Sequence, residues 1–178
     1  MKMAWLAVVA LLVSLPGVVP ASAQDWDKKT IEKMLADGTK KLSSPNDKER
    51  EDGAGYILGY IRCSDRPKFV PILTKALKDP NPKVRVIVVQ TFERLQAAEA
   101  IPDLLPLLDD PVDDVAERTA YTLGGLGAAA KSAEPALKKA AATRKAQKKS
   151  TLALTMEEAI KEIEGTVDGK RYTCPDGK

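Results

Sequence analysis

The 178-residue sequence contains no histidine, which excludes imidazole acid–base chemistry, His-containing catalytic triads and His-ligated zinc. Cysteine is nearly as scarce. Cys63 and Cys174 stand 111 residues apart and form no Cys-x-x-Cys redox pair, thiolate metal site or haem-attachment pattern. Aromatic residues make up 4% of the chain, and none is interleaved with the bases between Lys131 and Lys149 to offer nucleic-acid bases a stacking platform. Beyond residue 23 no apolar run approaches the roughly 20 residues needed to span a bilayer. Gly124-Gly125-Leu126-Gly127 is not a phosphate loop, since no Lys-Ser/Thr follows it and no strand precedes it; it reads as a helix end where neighbouring segments pack closely. Asp109, Asp110, Asp113 and Asp114 offer oxygen ligands to a hard cation, yet their spacing departs from the calcium-loop pattern, and acids at a helix start already suit the helix dipole. The reading is of a chain without catalytic residues, metal or cofactor.

What is present begins with a leader. Lys2 precedes an apolar run from Met3 to Val13, Pro16, Gly17 and Pro20 break it, and Ala21-Ser22-Ala23 carries the small residues of a signal-peptidase site. Residues 1–23 are therefore expected to be a signal peptide, 24–166 the folded domain and 167–178 a C-terminal tail. Export to the periplasm or outside the cell follows. In such a compartment a disulfide persists, and a bridge of Cys63 to Cys174 would constrain the unfolded chain by roughly 4–5 kcal/mol in the loop-entropy picture. An intermolecular bridge and two unbridged thiols remain open beside it.

The net charge of +3 conceals segregation. Glu99 to Glu117 holds seven acids and no base, whereas Lys131 to Lys149 holds seven bases against Glu134 alone.

From Asp79 to Ala142 one pattern occurs twice. Asp79-Pro80 and Asp110-Pro111 are 31 residues apart, as are Val84 and Val115, Phe92 and Leu123, and Leu95 and Leu126. A period of this size, made of two short apolar helices behind an Asp-Pro turn, marks an α-solenoid in which each helix pair covers its neighbour. Helices are expected over 25–42, 47–62, 67–78, 82–95, 101–108, 112–126, 132–145 and, from a capping box at Thr155 and Glu158, 155–163. Trp26 is expected to act as a lid on the first repeat, and Gly55 and Gly59 to permit close helix approach. Pro71, Pro102 and Pro135 are expected near second-helix starts, where a missing amide hydrogen is tolerated.

This spelling resembles the HEAT repeats, in particular the short bacterial HEAT-like repeats of the bilin-lyase type. The resemblance rests on Pro82, Val84 and Arg85 in one copy and on Pro111, Val115, Leu123, Gly124, Leu126 and Gly127 in the next, with Ile101, Pro102, Leu104, Leu105 and Leu108 in a second helix. It is strong over 79–137 and weaker over 46–78, where Arg50 takes the place of Arg85. Ala116 stands where the next arginine would fall, which removes the side chain that often supplies inter-repeat hydrogen bonds there. The resemblance implies an all-α fold, a short right-handed solenoid of about three to four stacked antiparallel helix pairs, with curved protein-binding surfaces. Some relatives are linked to attaching or removing bilin pigments, which makes a bilin-lyase-like role the alternative, beside that of a self-associating envelope protein.

The leading expectation is a non-enzymatic exported binding or assembly module. Its proposed surface is the inner, second-helix ridge, carrying Lys75, Lys78, Asp103, Lys138 and Lys139, together with Lys145 and Lys148. The partner is a protein, one with an acidic face suiting the basic stretch; export disfavours nucleic acid.

Overall fold

A computed structural model describes residues 27–167. Residues 1–26, and with them the expected leader, its expected cleavage site and Trp26, lie outside the described residues, as do 168–178 with Cys174. Among the described residues eight α-helices follow one another: α1 Lys28–Leu42, α2 Asp47–Tyr60, α3 Arg66–Ala76, α4 Pro82–Arg94, α5 Ile101–Leu104, α6 Asp113–Gly125, α7 Glu134–Ala146 and α8 Ser150–Glu164. The same residues contain no strand.

The even-numbered helices stack side by side, α2 on α4, α4 on α6 and α6 on α8, and the odd-numbered helices form a second row beside them. Burial explains the layering. Val84, Val88 and Phe92 of α4 and Val115 and Leu123 of α6 are fully buried at the interface of successive units. Leu73 and Leu104 enter the same continuous core from the second row. At the C-terminal end α8 lies against both α6 and α7, burying Leu152, Met156, Ala159, Ile160 and Ile163 and closing the stack.

Each unit starts from the same turn. Ser44 Oγ accepts the amide of Asn46 at 3.1 Å, Asp79 Oδ1 that of Asn81 at 2.8 Å, and Asp110 Oδ1 that of Val112 at 2.9 Å. A proline follows the acceptor in all three turns, at 45, 80 and 111. Asn46 and Asn81 then cap α2 and α4 by accepting amides of the first helical turn.

Several boundaries differ from expectation for physical reasons. Thr155 does not cap a helix: α8 begins at Ser150, and Thr155 lies buried inside it, its hydroxyl donating to the Thr151 carbonyl. The helix expected to end near 145 runs as α7 to Ala146, and within its last turn Arg144 is buried. Pro71 lies in the interior of α3, and Pro67 occupies the first turn instead. The register is then clear, since Pro67 and Pro71 precede Pro102 and Pro106 by 35 residues each. After the second proline of each pair the later copy is shorter by about one turn, with eight residues from Pro71 to Asp79 and four from Pro106 to Asp110. The helix Ile101–Leu104 accordingly passes into a 3-10 turn, Leu105–Asp109, rather than continuing as α-helix; Pro106 lacks the amide hydrogen that an α-helical bond would need.

The close helix approach also falls elsewhere than expected. A Cβ on Gly55 or Gly59 would meet nothing within 4 Å, whereas one on Gly53 would lie 2.6 Å from the Leu42 amide and 2.7 Å from the Gly38 carbonyl. The α1–α2 crossing therefore depends on Gly38 and Gly53. Three substitutions separate these roles in urea denaturation. Leu123→Ala, at a fully buried position, should lose roughly 2–5 kcal/mol. Gly53→Ala should destabilise by overpacking, about 1–3 kcal/mol, while Gly55→Ala should gain about 0.5–1 kcal/mol from helix propensity. Equal midpoints for Gly53→Ala and Gly55→Ala would contradict this crossing.

Candidate interaction surface

The turns between units are tied by arginines. Arg50 donates from Nε and Nη2 to the Asp79 carboxylate at 2.7 and 3.1 Å, and from Nη1 to the carbonyls of Ser44 and Pro45. Hydrogen bonds to Asp79 and Asp47 hold its guanidinium above the ordinary arginine pKa. Arg85 repeats the arrangement, reaching Asp110 at 2.9 and 2.8 Å and the carbonyls of Asp79 and Pro80. Each arginine thus joins the turn before its own helix to the turn of the next unit, and the planar fork suits both oxygens of the carboxylate.

At the third turn Ala116 is fully buried and has no such donor. Arg144 supplies it from α7 instead, with Nη2 at 3.1 Å from the carbonyls of both Leu108 and Asp110. Asp110 therefore serves two arginines, its carboxylate accepting from Arg85 and its carbonyl from Arg144. In the sequence Arg144 is one of the seven bases between Lys131 and Lys149, with nothing to set it apart except the missing arginine at 116.

Members of the acidic run are paired within the fold. Asp110 is buried beneath Arg85, and Asp113 pairs with Lys149 at 2.7 Å and faces Arg144 at 3.6 Å. Among the described residues no group of three or more His, Cys, Asp or Glu side chains is arranged to hold a metal ion.

The basic run divides in two. Lys138 pairs with Glu134 at 3.5 Å and Glu164 at 4.0 Å, and Lys145 pairs with Glu157. Lys131 makes the principal contribution to holding the Glu134 carboxyl below its usual pKa, with Lys138 adding to it. Lys139 and Lys148 are exposed and have no ion-pair partner among the described residues.

On the second-helix row, Lys75, Lys78 and Asp103 are exposed and likewise hold no ion pair among the described residues. Two adjoining grooves bring them together. Lys75 and Lys78 line the groove between α1 and α3 with Thr39, Ser43 and Asp79. Lys78 also lines the groove between α3 and α5, opposite Asp103 and Asp109. The structure does not gather all seven proposed residues into one patch: Lys138, Lys139, Lys145 and Lys148 belong to α7 and the turn after it. Cys63 is disulfide-bonded, while Cys174 lies outside the described residues.

Comparison with known proteins adds a family. The family model for HEAT repeats matches residues 39–124 and again residues 70–155, together well over half of the chain. The match reaches further toward the N-terminus than the clearest sequence repeat and concerns HEAT repeats at large, without singling out the bilin-lyase type. A search of curated proteins finds no match to this sequence. Among the described residues no helix is long and apolar enough to cross a membrane.

The arginine substitution is open to test. Arg144→Ala should cost about 1–3 kcal/mol, the range for leaving buried carbonyls without donors, and Arg144→Lys should recover little because lysine lacks the fork. In a double-mutant cycle with Arg85→Ala, measured by urea unfolding, the two losses should fail to add by about 0.5 kcal/mol or more. Strict additivity would separate the two arginines.

Proposed function

This chain belongs to the HEAT-repeat family, whose fold is of the protein-interaction scaffold kind, and we propose that it is an exported, non-enzymatic module that binds a protein through its second-helix row. The family is typically non-catalytic. One observation carries the reading: Lys75, Lys78 and Asp103 line two adjoining grooves while forming no ion pair among the described residues. Side chains whose charge is not committed inside the fold are available to a partner.

The balance of that charge favours an acidic partner face. Lys75 and Lys78 flank the grooves, and Lys139 and Lys148 add exposed positive charge at the C-terminal end. Asp103 and Asp109, on the opposite lip from Lys78, orient a partner that carries both signs. Such charges act more on orientation and encounter rate than on tightness.

Charge reversal at Lys75, Lys78, Lys139 and Lys148 should weaken capture of a partner from the envelope fraction and make the residual binding less salt-sensitive, with far-UV circular dichroism unchanged. Retained capture by a normally folded variant would remove this surface from the proposal. Reversal at Lys138 and Lys145 should instead lower stability, since both pair within the chain. Export is tested separately: N-terminal sequencing of the native protein should begin at Gln24, and a protein starting at Met1 would contradict it.

A further inference from the structure

The second-helix row is unevenly built. From its second proline to the aspartate of the following turn the α3 unit has eight residues and the next unit four, a difference of about one helical turn. The shorter copy, α5 with its 3-10 turn, leaves α3 few direct contacts along that row. A groove of about 410 Å³ lies between them. Leu77 and Leu107, both buried, form its floor, and the exposed Pro102, Pro106 and Pro111 line the α5 side.

Such a floor and wall suit an apolar side chain. Proline rings lose no rotamer freedom when they are covered, so contact with them carries little ordering cost. The rims are charged and of opposite sign. Lys78 stands on the α3 side, Asp103 and Asp109 on the α5 side, all three exposed and without an ion pair among the described residues. Asp110, at the same groove, is already held by Arg85 and is not part of this balance.

We propose that this groove takes a segment of the partner protein in which one apolar residue of leucine or methionine size is flanked by a base on one side and an acid on the other. The apolar residue covers Leu77 and Leu107, the base meets Asp103 and Asp109, and the acid meets Lys78. This rests on the second-helix row being the binding surface, and adds which side chains the partner presents there. Charge complementarity selects the occupant: a lipid surface or polymer of negative charge alone would be repelled by Asp103 and Asp109. A covered apolar anchor supplies most of the binding energy in such a pocket, while the charged rims set its direction.

Random peptides displayed on phage and selected on the purified protein test this. Enriched peptides should share an apolar residue between an acid and a base, in one preferred order. Replacing that apolar residue by serine should weaken binding about tenfold or more, as for loss of a buried anchor. Exchanging the rims through Lys78→Glu, Asp103→Lys and Asp109→Lys, all at exposed positions, should reverse the preferred order by a factor of about two to five, as for solvent-screened ion pairs, with far-UV circular dichroism unchanged. No enrichment, peptides indifferent to the serine replacement, or the same order on both proteins would overturn the anchor. So would a dimer of the free protein that the exchange dissociates, which assigns the groove to a second copy. The broader reading fails separately: if peptides behave as expected while reversal of Lys75, Lys139 and Lys148 leaves capture of the envelope partner intact, the groove stands without those charges. If that reversal abolishes capture while peptide selection fails, the row binds by charge and only the anchor falls.

Discussion

Each helix pair in this protein has an apolar flank that only the next pair can cover. Val84, Val88 and Phe92 of α4 are fully buried because α2 and α6 lie on either side, and no pair separates from the stack without exposing such a flank. Because every unit depends on its neighbours, both ends need closure. At the C-terminal end α8 provides it, through an apolar face that lies on α6 and α7 together.

Burial makes the units adhere, but it is non-directional and does not by itself align one turn with the next. The arginines supply that alignment. Arg50 and Arg85 each bind the turn before their own helix and the acidic side chain of the following turn. Where the series is interrupted at Ala116, Arg144 reaches the turn carbonyls from α7. One requirement, donors for buried turn carbonyls, is met by residues from different elements.

This commitment of charge also sorts the surface. Acids and bases that look alike in a sequence have different roles once paired: Asp110 and Arg144 are structural, Lys138 and Lys145 are engaged with glutamates, and Lys75, Lys78 and Asp103 remain at the lips of grooves. The distinction supports a recognition role for the second-helix row.

The sequence alone determined the all-α class, the repeated Pro-containing turns and most helix positions, because caps, prolines and helical periodicity act over a few residues. It also located the close packing at Gly124 and Gly125. Only the tertiary structure decided that Gly38 and Gly53, rather than Gly55 and Gly59, form the α1–α2 crossing, that Thr155 lies within a helix, and that Arg144 replaces the arginine absent at 116. Those outcomes depend on which side chains from distant parts of the chain meet, and a donor, a small residue or a charge acquires its role from the neighbour it finds there.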